Sequence, residues 1–116
     1  MHDFRKLRVW QRGMDFVTDI YEASGNFPRT EQFGLTDQIR RSAINIPLNI
    51  SEGAGAGSTN EFQRFLSYAR RSTYEVMSAL EIAKRLGYCR DEELMSLLDK
   101  ADQIAAMIVG LSRKLV

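Results

Sequence analysis

The chain has 116 residues, room for one domain around one hydrophobic core. With 44% hydrophobic and 27% charged residues it has the composition of a folded globular protein, which excludes a disordered chain. Its net charge of +1 does not by itself announce a polyanionic partner.

The apolar spacing predicts four helices. The first runs from about Leu7 to Ser24, with Val9, Trp10, Gly13, Phe16, Val17, Ile20 and Tyr21 at three- and four-residue steps. Gly13 weakens this helix by roughly 1 kcal/mol relative to alanine, which a close approach by a neighbouring helix would explain. Gly25-Asn26-Phe27-Pro28 ends it. The second spans about 30–53, with Leu35, Ile39, Ala43, Ile46 and Ile50 as its stripe. Pro47 falls inside that stripe and predicts a kink, not two helices, because the apolar spacing continues through it. The glycine-rich run Gly53-Ala54-Gly55-Ala56-Gly57 follows.

The third helix, about 58–86, opens on a capping box formed by Ser58 and Glu61. Phe62, Phe65, Leu66, Ala69, Thr73, Val76, Leu80 and Ala83 make its buried face, and Gly87 supplies a left-handed end. The fourth, about 91–115, has Asp91 as N-cap with Glu92 and Glu93 behind it, and Arg113 and Lys114 at its carboxyl end. Its stripe runs from Leu94 through Leu97, Leu98, Ala101, Ile104, Ile108 and Leu111 to Leu115. No segment alternates with period two. Short loops between amphipathic helices predict an all-α, antiparallel up-down-up-down four-helix bundle filling residues 1–116.

Catalytic and metal chemistry find little to build on. The one histidine, His2, and the one cysteine, Cys89, cannot assemble a zinc site or a di-metal bundle centre. No cofactor or metal is implied. Gly53–Gly57 lacks the preceding strand and the Gly-Lys pair of a phosphate loop and reads as a turn. Glu52, Glu61 and Glu75 suit capping and ion pairing better than acid–base work, since no nucleophile or metal accompanies them. A lone cysteine fits a reducing compartment. No apolar run approaches the ~20 residues that span a bilayer, and no apolar segment follows the basic residues near Met1. The expected location is therefore the cytoplasm, with no membrane partner.

Two polar patterns remain. Arg40-Arg41, Arg70-Arg71 and Lys84-Arg85 are basic doublets whose geometry suits phosphate, although ion pairs between subunits or scattered surface charge explain them too. Residues 1–12 are also basic, with Arg5, Lys6, Arg8 and Arg12 against Asp3. On the second helix Gln38, Arg41, Asn45, Asn49 and Glu52 recur about one turn apart. Asparagine is a poor helix former, so two of them a turn apart suggest hydrogen bonds to a neighbouring helix or another subunit. Trp10, Phe4, Phe27, Phe33, Tyr68, Tyr74 and Tyr88 exceed what the four stripes need, placing some at helix ends or an oligomer contact.

The runs Gln38-Ile39-Arg40-Arg41-Ser42-Ala43 and Ile46-Pro47-Leu48-Asn49-Ile50-Ser51-Glu52-Gly53 resemble the signature of the 23S rRNA intervening-sequence protein family. Leu7-Arg8-Val9-Trp10-Gln11, Phe27-Pro28, Phe33-Gly34-Leu35, Glu61-Phe62, Phe65-Leu66, Ala69-Arg70 and Leu86-Gly87-Tyr88 follow the family in order. The resemblance implies a four-helix bundle that assembles as a ring-like homopentamer, encoded in or apart from insertions in bacterial 23S rRNA genes, with no attached catalytic activity. A related branch, the accessory variability determinants of diversity-generating retroelements, binds nucleic acid through basic surface. Arg40, Arg41, Asn49, Glu52, Arg70 and Glu75 are the polar positions carried over. Arg71 stands where the family often has glycine, and Ala54 and Ala56 stand in a loop that is often basic. Two functions are thereby expected: an RNA- or DNA-binding homo-oligomer using Arg40, Arg41, Arg70, Arg71, Lys84 and Arg85, or a scaffold for an unidentified protein partner. In either, Gln38, Asn45, Asn49, Glu52 and Glu75 hold helices or subunits together.

Overall fold

A computed structural model of the chain describes residues 3–115; Met1, His2 and Val116 lie outside the described residues. Four helices form, α1 (Arg8–Ser24), α2 (Leu35–Ala54), α3 (Thr59–Arg85) and α4 (Asp91–Lys114). Short 3-10 turns at Phe4–Lys6 and Arg29–Glu31 precede α1 and α2.

The helix ends follow from local chemistry. Ser58 caps α3 by accepting from the Glu61 N–H at 3.2 Å. The reciprocal half of the expected capping box is not made: the Glu61 carboxylate turns to Arg64 at 2.9 Å, one turn along the helix. At the other end of α3, Gly87 takes φ +79° and the N–H groups of Gly87 and Tyr88 return to the carbonyls of Lys84 and Ala83. This paired arrangement closes a helix with glycine in the left-handed region. Asp91 is the first residue of α4, with Arg90 at the N-cap, so its charge acts on the helix dipole and not as a capping acceptor.

Helix α2 begins five residues later than its apolar spacing suggested, at Leu35. Pro28 and Gly34 confine the intervening residues to a turn, and Glu31 anchors it. One Glu31 oxygen accepts from the Leu35 N–H at 3.1 Å and the other from the Tyr88 hydroxyl at 3.0 Å. The Tyr88 phenol is consequently raised above its ordinary pKa, chiefly by that bond to a carboxylate. Helix α2 continues through Pro47, as the spacing required.

Successive helices pack side by side and α1 closes against α4. Their contacts run in opposite senses. Early α2 (Leu35, Gln38) lines a groove with late α3 (Ser78, Ile82), whereas Gly53 at the end of α2 meets Phe62 and Phe65 at the start of α3. Gln63 donates to the carbonyls of Ser112 and Leu115 at the end of α4, while Lys84 pairs with Asp91 at its start. Likewise Gly13 lies against Ile46 and Pro47, and Arg40 reaches Tyr21 and Ser24. Leu7, Arg8 and Val9 flank Met107, Leu111 and Lys114, whereas Asp19 pairs with Lys100. The bundle is therefore up-down-up-down, 44 Å long and about 24 × 19 Å across.

Phe16, Ile20, Ile39, Ile46, Ile50, Leu66, Val76, Leu80 and Ile108 fill its centre. The buried Thr73 hydroxyl donates to the Ala69 carbonyl, and among the described residues no buried side-chain polar atom lacks a partner. Tyr21, counted from its spacing in the α1 stripe, is instead 40% exposed, and the Arg40 guanidinium lies 4.4 Å from its ring centre. No helix among the described residues is long and apolar enough to cross a membrane.

Candidate nucleic-acid interface

The six basic candidates occupy different environments. Arg40 is half-buried and spoken for. Its Nε donates to Ser24 Oγ at 2.8 Å and Nη2 to the Tyr21 carbonyl at 3.2 Å. This places a fixed positive charge at the carboxyl end of α1, where the dipole favours one. Replacing Arg40 with methionine keeps most of the stem and removes both bonds. A loss of about 1.5–3 kcal/mol is expected in urea unfolding, the range for hydrogen bonds to a charged group, with nucleic-acid affinity unchanged.

Arg41 is exposed and pairs with Asp37 one turn back at 3.0 Å, a contact weakened by solvent. Lys84 pairs with Asp91 at 3.5 Å across the α3–α4 loop. Arg85, beside it, is exposed and makes no ion pair among the described residues. These residues sit at the end of the bundle that also carries Glu22, Asp37, Glu81, Glu92 and Glu93, where the charge is mixed.

Arg70 and Arg71 sit midway along α3 and point to opposite flanks. Arg70 borders the groove against α4 and donates to the Tyr74 hydroxyl at 3.3 Å. Arg71 borders the groove against α2, with its guanidinium 5.7 Å from the Tyr68 ring centre. Arg64 completes the row, 5.8 Å from the same ring and 5.5 Å from Phe65. The spacing 64, 68, 71, 74 is that of one helix face. The outer side of α3 thus interleaves Arg64, Tyr68, Arg71 and Tyr74, with Arg70 at its α4 edge. Guanidinium planes and aromatic rings are the two surfaces on which nucleotide bases stack, and the arginines also meet phosphate.

Sequence reasoning singled out Arg70 and Arg71 but not Arg64, Tyr68 or Tyr74 as parts of this row. The signal was available, since Arg64, Tyr68, Arg71 and Tyr74 fall at three- and four-residue steps away from the Leu66–Thr73–Leu80 stripe, where there is no core to enter.

The polar row on α2 lies toward α3. Gln38 Nε2 donates to Ser42 Oγ at 3.3 Å, and the buried Ser42 hydroxyl donates to Glu75 Oε2 at 3.0 Å. This relay joins the two helices beside Arg71. Asn49 bonds its own helix at the Asn45 carbonyl, 2.8 Å away. Neither Asn45, Asn49 nor Glu52 bonds a neighbouring helix among the described residues, which leaves those three side chains on the outer edge of the α2–α3 surface.

Cys89 is partly buried, with Sγ 3.5 Å from Glu93 Oε1. Burial first, and that bond second, push the thiol up to about 11. A thiol this poorly ionised is a slow nucleophile. Alkylation of Cys89 should keep accelerating with pH up to about 11, where a free thiol levels off near 8.5. Glu93→Gln should move the curve downward. Among the described residues no group of three or more His, Cys, Asp or Glu side chains is placed to hold a metal ion.

The fold and this surface define an all-α four-helix-bundle protein that displays an arginine–aromatic row along its third helix. The chain belongs to the 23S rRNA-intervening sequence protein family, whose profile matches residues 5–110. It is also similar to the crystal structure of a protein of unknown function from the S23 ribosomal protein family of Bacteroides thetaiotaomicron VPI-5482. That similarity has a TM-score of 0.80 at 25% identity and covers 90% of this chain and 97% of the other. No curated protein matches the chain.

Proposed function

We propose that the chain is a nucleic-acid-binding accessory protein that acts as a homo-oligomer and performs no catalysis. The observation that carries this reading is the row of Arg64, Tyr68, Arg71, Arg70 and Tyr74 on the exposed side of α3. Guanidinium groups and rings that alternate along one exposed helix face offer stacking and phosphate contacts together. Repetition in an oligomer multiplies the effect: each protomer adds its arginines to a continuous surface, and affinity rises with the number of phosphates neutralised. The net charge of +1 argues for binding that depends on this local arrangement and not on bulk attraction.

The test is fluorescence anisotropy with labelled structured RNA and duplex DNA at low and moderate salt. Binding should weaken steeply with salt, and Arg70→Ala with Arg71→Ala should weaken it at least tenfold at unchanged oligomeric mass. No binding by the unaltered protein at low salt would sink the reading.

A scaffold without nucleic-acid binding is the second reading. The exposed apolar side chains of Phe33, just before α2, and of Ile82 and Leu86, at the end of α3, favour it, because such residues fit a protein partner better than a polyanion. On that reading Arg70 and Arg71 bear on subunit contact, and replacing them changes oligomeric mass first.

A further inference from the structure

The end of the bundle where α1 begins and α4 finishes carries a second basic surface, distinct from the doublets. Arg8 of α1 and Lys114 of α4 face each other across one groove. Arg113, next in sequence to Lys114, shares the adjoining groove with Arg70 of α3. Arg5 and Lys6 project from the 3-10 turn that leads into α1. Arg5, Lys6, Arg8, Arg113 and Lys114 therefore gather at this end, with Arg70 farther along α3, while Glu52 and Glu61 lie on its α2–α3 side. Among the described residues the one carboxylate paired with any of these cations is Asp3, at 3.8 Å from Arg5 and largely screened by solvent. No carboxylate precedes Asp15 in α1 or follows Asp102 in α4.

Gly110 is an independent observation at the same place. It sits inside α4, in the groove between Arg8 and Lys114, and a Cβ built on it meets no atom within 4 Å. Glycine is the poorest helix former after proline, so its presence within a helix calls for a close neighbour or a special backbone angle. Its backbone angle is ordinary and no neighbour from this chain fills the space. A molecule from outside the chain that comes close to the α4 backbone accounts for both the open groove and the flanking cations.

We infer that the rim of the groove between Arg8 and Lys114, with Arg113 next to Lys114 and Arg5 and Lys6 on the turn leading into α1, seats the phosphodiester backbone of a nucleic acid. The inference rests on the reading proposed above and extends its surface from α3 around the bundle end to α1. Phosphate oxygens pair with the Arg8 and Lys114 groups, and the missing side chain at Gly110 lets the strand lie against the helix. Continuity through Arg70 joins this seat to the arginine–aromatic row. Charge selects the occupant: the groove floor is apolar (Leu7, Val9, Met107 and Leu111), but both charged residues at its rim are cations, and such a rim attracts a polyanion and repels a second basic end of the same protein.

The test compares four proteins by anisotropy with duplex RNA, duplex DNA and single-stranded RNA across a salt series, with mass measured by light scattering. Arg8→Glu with Lys114→Glu should lower affinity at least tenfold and reduce the salt slope by about 2, one for each lost phosphate contact. Gly110→Leu, which replaces glycine with a strong helix former, should raise thermal stability yet weaken binding severalfold. Arg29→Glu, at the opposite end, should bind within about twofold of the unaltered protein, as a surface charge outside the contact. Similar losses on RNA and DNA assign the seat to the phosphate backbone, and a loss on one alone assigns it to that polymer.

Wild-type affinity in both the double-charge and Gly110 variants would overturn the inference while leaving the reading of α3 intact. A changed oligomeric mass in these variants would overturn it in favour of a protomer contact. Failure of the unaltered protein to bind any probe would instead remove the proposed function itself.

Discussion

Replacing Gly53 with alanine should lower the melting temperature by roughly 5–10 °C, whereas the same replacement at Gly13 should raise it by a few degrees. Both glycines lie inside helices and both are buried. Intrinsic propensity alone therefore predicts that alanine stabilises each by about 0.5–1 kcal/mol. Packing separates them. A Cβ at Gly53 would stand 2.8 Å from Phe65 Cβ, 3.0 Å from Phe62 Cδ1 and 3.2 Å from the Phe62 carbonyl oxygen. Two of those atoms belong to the α3 backbone or its first side-chain carbon and cannot swing aside. The helices must separate, and overpacking of this kind costs about 1–3 kcal/mol, outweighing the propensity gain.

At Gly13 the nearest atoms are Ile46 Cγ2 at 3.5 Å and the Pro47 ring at 3.6 Å, which is ordinary contact. A methyl group fits there and buries against the proline. Thermal unfolding of the two variants beside the unaltered protein reads both signs. Opposite shifts support the packing account, and a stabilised Gly53→Ala protein would remove it. The tight glycine-dependent approach is thus between α2 and α3 at Gly53, at the end of the run Ser51-Glu52-Gly53, and not between α1 and α2 at Gly13.

That pair also marks how far the amino-acid pattern reaches. Apolar periodicity carried the four helices, their order and the bundle, because burial of one stripe per helix is a demand on spacing and little else. It placed Pro47 within a continuous helix for the same reason. Details set by one side chain choosing between two partners were not legible. Glu61 prefers Arg64 over the Ser58 N–H, and Glu31 draws Leu35 and Tyr88 together so that α2 starts late. Neither choice leaves a mark in spacing.

The site divides similarly. Arginine doublets are visible in a string of letters, but consecutive residues on a helix point about 100° apart, so a doublet is seldom a patch. Arg40 faces α1 while Arg41 faces solvent; Arg70 borders α4 while Arg71 borders α2. What does form a surface is the three- and four-residue spacing of Arg64, Tyr68, Arg71 and Tyr74, and the meeting of chain segments far apart in sequence at Arg8, Lys114, Arg113 and Arg70. The first was readable from spacing. The second required the fold.

The largest effect on assembly is expected at the opposite end of the α2–α3 surface. Phe33 is 89% exposed, Ile82 49% and Leu86 52%, and Leu35 lies half-buried in the groove that Ile82 borders. Three large exposed apolar side chains at the end where α2 begins and α3 finishes are more than the scattered exposure normal for a monomer. Phe33 is placed there by the turn in which Glu31 accepts from the Gly34 and Leu35 N–H groups. Gln38 and Ser78 line the Ile82 end of that groove and suit the edge of a protein contact, while Arg71 and Glu75 line its far end toward the arginine–aromatic row. Phe33→Ser with Ile82→Glu should therefore dissociate the proposed homo-oligomer to monomers by light scattering. The fold should survive, because neither side chain contributes to the buried core and surface changes of this kind cost about 0.5 kcal/mol or less. A helical, cooperatively unfolding monomer with weakened, less salt-sensitive binding to nucleic acid is the expected product, since each particle then carries one protomer's cations and not several. An unchanged mass would assign self-association to another face, the nearest alternative being the outer edge of α2 at Leu48, Asn45, Asn49 and Glu52, where the described residues leave the polar side chains without a neighbouring helix.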